Sequence, residues 1–132
     1  MEQSLVFIKP DGVERGLIGE VLSRFEKRGI TVKQLELKQL TEDQVKAHYQ
    51  EHVDKPFFPN LKSYILSGPI CLMVLEAPNV ISIIRKMVGV TNSAEASPGT
   101  IRGDFALTTQ NNIIHASDSP ESAAREIANF FS

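Results

Sequence analysis

The 132-residue chain has a single cysteine, no tryptophan and no surplus of positive charge. Cys71 lies inside ICLMVL without a partner in the chain, so a disulfide framework is excluded and the residue reads as a small core hydrophobe. A reducing cytoplasm suits that composition. Lys and Arg number 14 against 16 Asp and Glu, a formal net charge of −2, so any phosphates must be held by a local cluster rather than a chain-wide basic face. No stretch approaches the roughly 20 apolar residues of a membrane-spanning helix. The opening MEQSLVFIKPDG starts acidic and has too short an apolar run for a signal peptide, so a cytoplasmic protein is expected.

The familiar short motifs are missing too. Neither a GxxxxGK[ST] loop nor a GxGxxG turn after a strand occurs, so neither usual backbone cradle for phosphates is available. No GxSxG elbow supports a hydrolase, although Ser117, Asp118 and Ser119 crowd His115. The aromatic signature of an RNA-recognition sheet is also absent, and nucleic acid is not expected as a partner.

What is present alternates between strand and helix. SLVFIK (4–9) is a β-rich run stopped by the turn signal PDG. Leu17, Ile18, Val21, Leu22 and Phe25 recur at helical spacing, which predicts a helix over 15–28 ended by Gly29. ITVKQLELKQL alternates through Val32, Leu35 and Leu37 as a strand with one wet face. Thr41 and Gln44 form a capping box for a helix over 42–52, and 54–68 suggests a second short helix. ICLMVLE (70–76) predicts a strand buried on both faces, followed by a helix from Val80 to Gly89. A mostly irregular stretch over 90–112 leads to a strand at 113–116, then to a helix capped by Ser119 and begun by Pro120. Without the inserted helix pair and the last helix, the order is β-α-β-β-α-β, the ferredoxin-like split motif, in one domain spanning 1–132. The fold class expected is therefore α+β, with a four-stranded antiparallel sheet.

Three histidines compete for chemistry. His48 and His52 are four apart on one helix, but no third ligand is evident and a solvated helix face is the simpler reading of the pair. His115 stands at a strand end beside the long loop, where a rigid scaffold displays reactive groups. Its neutral ring offers a lone pair suited to a base, a ligand or a nucleophile, and a half-buried structural histidine is the alternative. Lys9, Arg85 and Arg102 each read as surface charges when taken alone; together they could hold phosphate oxygens.

FIKPDGVERGLIGEVLSRFEKRG, SGPI, ASPGTIRGDFA and NIIHASDSPESAAREI together resemble the nucleoside diphosphate kinase family, in order, from about residue 4 to 131. The resemblance implies that His115 takes the γ-phosphoryl group of one nucleotide and passes it to another. It implies that Lys9, Tyr49, Arg85, Thr91, Arg102 and Asn112 hold phosphates and sugar. Phe57 would stack on the base with Leu61 beside it, Glu126 would orient the histidine ring, and Ser117 would stand near the phosphohistidine. A magnesium ion bound mainly through the nucleotide, broad base tolerance, and a hexamer or tetramer built from dimers also follow from the resemblance. The chain departs from the family pattern at Ala116, commonly glycine, at Ser93, commonly proline after TN, and at TTQNN (108–112).

Overall fold

The structure is a computed structural model that describes residues 1–131. Its centre is a four-stranded antiparallel sheet in which the strands Thr31–Lys38, Ile70–Ala77, Glu2–Ile8 and Ile114–Ala116 lie side by side in that order. β1 (Glu2–Ile8) and β3 (Ile70–Ala77) form the middle, paired from Glu2 opposite Ala77 to Ile8 opposite Cys71. Both strands are apolar on successive residues because both faces of the sheet are covered. Val6, Ile8, Met73 and Leu75 point into one core; Leu5, Phe7, Leu72 and Val74 point into the other.

The first core is closed by α2 (Ile18–Lys27) and α5 (Val80–Val88), through Val21, Phe25, Val80 and Ile84. α3 (Glu42–His48), α4 (Phe58–Ile65) and α7 (Pro120–Phe130) close the second, through Val45, Phe58, Ile65 and Phe130. The expected capping box is formed: Gln44 N donates to Thr41 Oγ1 at 3.1 Å, and the Gln44 side chain accepts from Thr41 N at 3.0 Å. Ser119 caps α7 by accepting from Ser122 N at 3.0 Å.

Several boundaries differ from the sequence expectations for physical reasons. PDG opens a short helix, α1 (Pro10–Glu14), because proline suits the first helical position and Asp11 suits the positive helix start. Gly16, at φ 74°, breaks the chain before α2, so the helix expected over 15–28 begins only at Ile18. The helix expected over 42–52 ends at His48 and continues as one 3₁₀ turn, Gln50–His52. Pro59, in the first turn of α4, suits a helix start there, and the second helix runs over Phe58–Ile65 rather than 54–68. The 90–112 stretch contains a 3₁₀ turn at Ser93–Glu95 and α6 (Ile101–Phe105), where Thr100 accepts from Gly103 N.

β2 (Thr31–Lys38) corrects a further expectation. It lies at the sheet edge, and after an irregularity between Val32 and Gln34 its Leu35 and Leu37 are 50% and 60% exposed. The face expected to be dry is not covered within one chain. No described helix is long and apolar enough to cross a membrane.

Candidate active site

β4 (Ile114–Ala116) is only three residues long and pairs with β1, placing His115 opposite Phe7. Their rings stack with centroids 4.9 Å apart and planes 24° apart, so the imidazole rests against a flat apolar wall. The approach to β4 is strained. Ile114 N donates to Asn112 O at 2.8 Å around Ile113, whose φ of 74° is rare for a β-branched residue. Lys9 N donates to Ile113 O at 2.6 Å and holds the turn against the end of β1. Gly12 makes room for it, since a Cβ there would come within 2.9 Å of Ile113 Cγ2 and 2.6 Å of Ile8 Cγ2. Strain of this kind persists only where surrounding contacts enforce it, and it gathers at functional sites.

Glu126, buried on α7, fixes the ring from the other side. Its Oε1 lies 3.1 Å from His115 Nε2 and accepts from the Ser117 hydroxyl at 2.7 Å. Ser117 is itself held by Leu5 N, which donates to its Oγ at 3.0 Å. A carboxylate facing Nε2 selects the tautomer with the proton on that nitrogen, so the lone pair is on Nδ1.

His48 corrects the solvated reading. Its side chain is 5% exposed, its ring meets His115 edge-on at 4.7 Å, and its Nδ1 lies 3.8 Å from Glu126 Oε2. Val45, His48 and Tyr49 share one face of the α3 turn (i, i+3, i+4), so the inward direction was readable from buried Val45. Burial, then the neighbouring His115, Lys9 and Arg125, drive the His48 pKa down to about 2, and the ring is neutral. His52, four residues on, is not part of this cluster.

A cavity of about 340 Å³ opens over His115. Of the residues singled out in the sequence, Lys9, His48, Tyr49, His52, Arg85, Thr91, Arg102, Asn112, His115, Asp118 and Glu126 line it. Ser117 is fully buried behind Glu126. Phe57 and Leu61 stand apart from the lining: Phe57 is 49% exposed with its ring 5.4 Å from His52, and Leu61 is half-buried against the second core. Ser122 and Arg125 line the cavity without having been anticipated. A hollow of about 730 Å³ beside Met1, Asn79 and Ala124 is larger but brings together no histidine, lysine or arginine.

The cavity is cationic. Lys9 Nζ donates to Asn112 Oδ1 at 2.7 Å; burial, then Arg102, lower its pKa to about 8 against a smaller opposing effect of Asp11. Arg102 donates to Gly89 O at 2.9 Å, Ile114 O at 2.7 Å and Asn112 O at 3.4 Å, tying the long loop to β4. Burial and Arg85 lower its pKa to about 10. Arg85 donates to Ala116 O at 3.2 Å. Burial, with Glu126, raises the Tyr49 pKa far above its ordinary value, so the phenol keeps its proton. Such a site attracts an anion with several charged oxygens.

His48, His115 and Glu126 offer ligand atoms within 4.8 Å of one another. Glu126 is already engaged by His115 and Ser117, and Lys9, Arg85, Arg102 and Arg125 face the same space. That charge opposes a bare divalent cation; Glu126 supports the His115 ring by a hydrogen bond, while His48 packs edge-on against it with its buried Nδ1 left without a hydrogen-bond partner.

Comparison with known proteins points the same way. The sequence pattern of the family described as nucleoside diphosphate kinase matches residues 2–132. A nucleoside diphosphate kinase of Methanothermobacter thermautotrophicus is 58% identical over 99% of this chain and 87% of its own. The crystal structure of a nucleoside diphosphate kinase family protein from Babesia bovis superposes with a TM-score of 0.97 at 48% identity, covering 100% of this chain and 89% of that one. A halophilic nucleoside diphosphate kinase from Halobacterium salinarum, solved in complex with CDP, gives a TM-score of 0.96 at 42% identity over 99% and 88% of the two chains.

Proposed function

The chain belongs to the nucleoside diphosphate kinase family, whose function is phosphotransfer between nucleotides, and from that premise we propose a mechanism centred on His115. The observation that carries it is the ring held by Glu126 and Phe7 at the floor of a cationic cavity.

The phosphates of a nucleoside triphosphate enter beside Lys9, Arg85 and Arg102. His115 Nδ1 attacks the γ-phosphorus in line; an N–P bond forms, the bond to the bridging oxygen breaks, and the diphosphate leaves with that electron pair. Glu126 holds the Nε2 proton and stabilises positive charge developing on the ring. A second diphosphate then attacks the same phosphorus from the leaving-group position and regenerates the imidazole. Positioning and charge neutralisation supply most of the catalysis, as in other phosphoryl transfers. Arg102 already holds three carbonyls, so it offers its remaining N–H groups and a fixed charge. Tyr49, Thr91 and Asn112 complete the polar lining, and Ser117 acts from behind Glu126.

The family's reaction generally uses a divalent metal, and the finer reading here is Mg²⁺ carried on the nucleotide. The cavity fits that mode: Glu126 is engaged, Asp118 is held by Ser122, and no cage of oxygen ligands faces the cavity among the described residues. When bound, the ion would neutralise charge on the nucleotide's phosphates. Phe57, exposed beside the cavity-lining His52, offers a π-face to any base, which supports broad base tolerance. Exposed Leu35 and Leu37 on an edge strand support self-association through β2, as a dimer from which a tetramer or hexamer is built. A cytoplasmic setting accords with the lone buried cysteine.

Incubation with γ-labelled ATP and magnesium tests the covalent step. The protein should take up label without an acceptor and lose it when a diphosphate is added. Transfer that requires both nucleotides at once would contradict it.

A further inference from the structure

We propose that Asp11 and Tyr64 form a clasp that sets the distance between the base-stacking platform and the phosphate-binding lysine, making both positioning residues for nucleotide affinity. The proposal rests on the assignment of Phe57, Leu61 and Lys9 to the nucleotide site.

Phe57 immediately precedes α4, and Leu61 and Tyr64 follow at helical spacing, so the three share one stripe of the helix. At the far end of that stripe the Tyr64 hydroxyl donates to Asp11 Oδ1, a contact between residues 53 apart in the chain. Asp11 lies in the first turn of α1, two residues after Lys9. One side-chain hydrogen bond therefore joins the element carrying the platform to the segment carrying the lysine. The corner after α4 abuts the same place, since a Cβ at Gly68 would lie 3.8 Å from Pro10 Cβ.

The mechanism does not otherwise use this pair, and its burial is not accidental decoration of the surface. Asp11 Oδ2 is buried without a hydrogen-bond partner, so the carboxylate depends on Tyr64 for the partner it has. Burial and then Asp11 push the Tyr64 pKa well above its ordinary value, which keeps the donor proton in place. The Asp11 charge also favours protonated Lys9. α3 and α4 are the inserted pair, attached to the sheet through Val45, Phe58 and Ile65. Phe58 and Ile65 seat α4 on the core; the clasp fixes how the stripe of Phe57, Leu61 and Tyr64 meets the phosphate end.

The test measures single-turnover phosphorylation by ATP across nucleotide concentrations, giving an apparent dissociation constant and a limiting rate. Tyr64→Phe should raise the dissociation constant about fivefold, the net effect of one lost hydrogen bond, while the limiting rate changes less than about twofold. Amide exchange over 42–66 should quicken. Asp11→Asn keeps an accepting oxygen for Tyr64 and should stay nearer the parent than Asp11→Ala. That pair supplies the same contrast if Tyr64→Phe is too unstable to assay. A lower melting temperature with unchanged affinity would mean a structural bond only and overturns the clasp. Phe57→Ala run alongside separates the causes: if it weakens binding and Tyr64→Phe does not, the clasp alone fails. If neither changes affinity, the platform assignment fails and the clasp with it.

Discussion

Glu126 Oε1 lies 3.1 Å from His115 Nε2 and takes a second hydrogen bond, 2.7 Å long, from Ser117. One carboxylate oxygen thus fixes both the tautomer and the tilt of the ring. A supporting group of this kind typically accounts for about 10–100-fold in activity. Glu126→Ala should slow the phosphorylation half-reaction by that factor without abolishing it, with phosphohistidine still detectable. Unchanged single-turnover kinetics in a folded variant would remove Glu126 from the site.

Lys9 gives the account a pH dependence with a definite sign. Its pKa is lowered to about 8, against 10.5 ordinarily. Above about pH 8 the free enzyme loses the lysine charge, and kcat/KM should fall, because that parameter reports groups in the free enzyme. Stability should move the other way. The unfolded chain binds the proton more tightly between about pH 8 and 10.5, so the Lys9 contribution to folding improves as pH rises through that window. Lys9→Met should flatten the stability contribution and depress kcat/KM at all pH values. A kcat/KM profile flat through pH 8–10 would place the charge elsewhere.

Base tolerance is expected because Phe57, exposed beside His52, offers a π-face that any base can stack on. Acceptor rates for GDP, ADP, CDP and UDP should lie within about a thousandfold, some 4 kcal/mol. A wider spread would require hydrogen-bond readout of a base edge.

Leu35 and Leu37 test the assembly. Leu35→Lys with Leu37→Glu, on the exposed edge strand, should lower the sedimentation mass of the particle. An unchanged mass would move the self-association surface away from β2.

Much of this was legible in the sequence because the relevant signals are local. The apolar runs of β1 and β3, the Thr41–Gln44 box and the Ser119–Pro120 start each act over a few residues. His115, Lys9, Arg85 and Arg102 were singled out from segment position and charge, and the chain fold brings them to one cavity. α1 was missed because PDG reads equally as a turn until tertiary contacts continue it. His48 was misplaced because its four-residue spacing to His52 drew more weight than its spacing to Val45, which decides the face. The strained turn at Ile113 has no sequence mark, since a β-branched residue there contradicts local preference and is imposed by Lys9 and Gly12. Leu35 and Leu37 alternate as a covered face would; the chain alone does not cover them.

The most direct measurement compares parent, His115→Gln, His48→Gln and His52→Gln after incubation with γ-labelled ATP and magnesium, with acid and alkali stability of the label. Gln keeps a polar side chain of similar reach but no ring nitrogen. The parent should carry a label that is lost in acid and survives alkali, as a phosphoramidate does. His115→Gln should carry none while remaining folded, and His52→Gln should match the parent. His48→Gln should still label, with its rate reporting how much the buried ring steadies His115. Label on folded His115→Gln, or an acid-stable label on the parent, would contradict the claim that His115 carries the phosphoryl group.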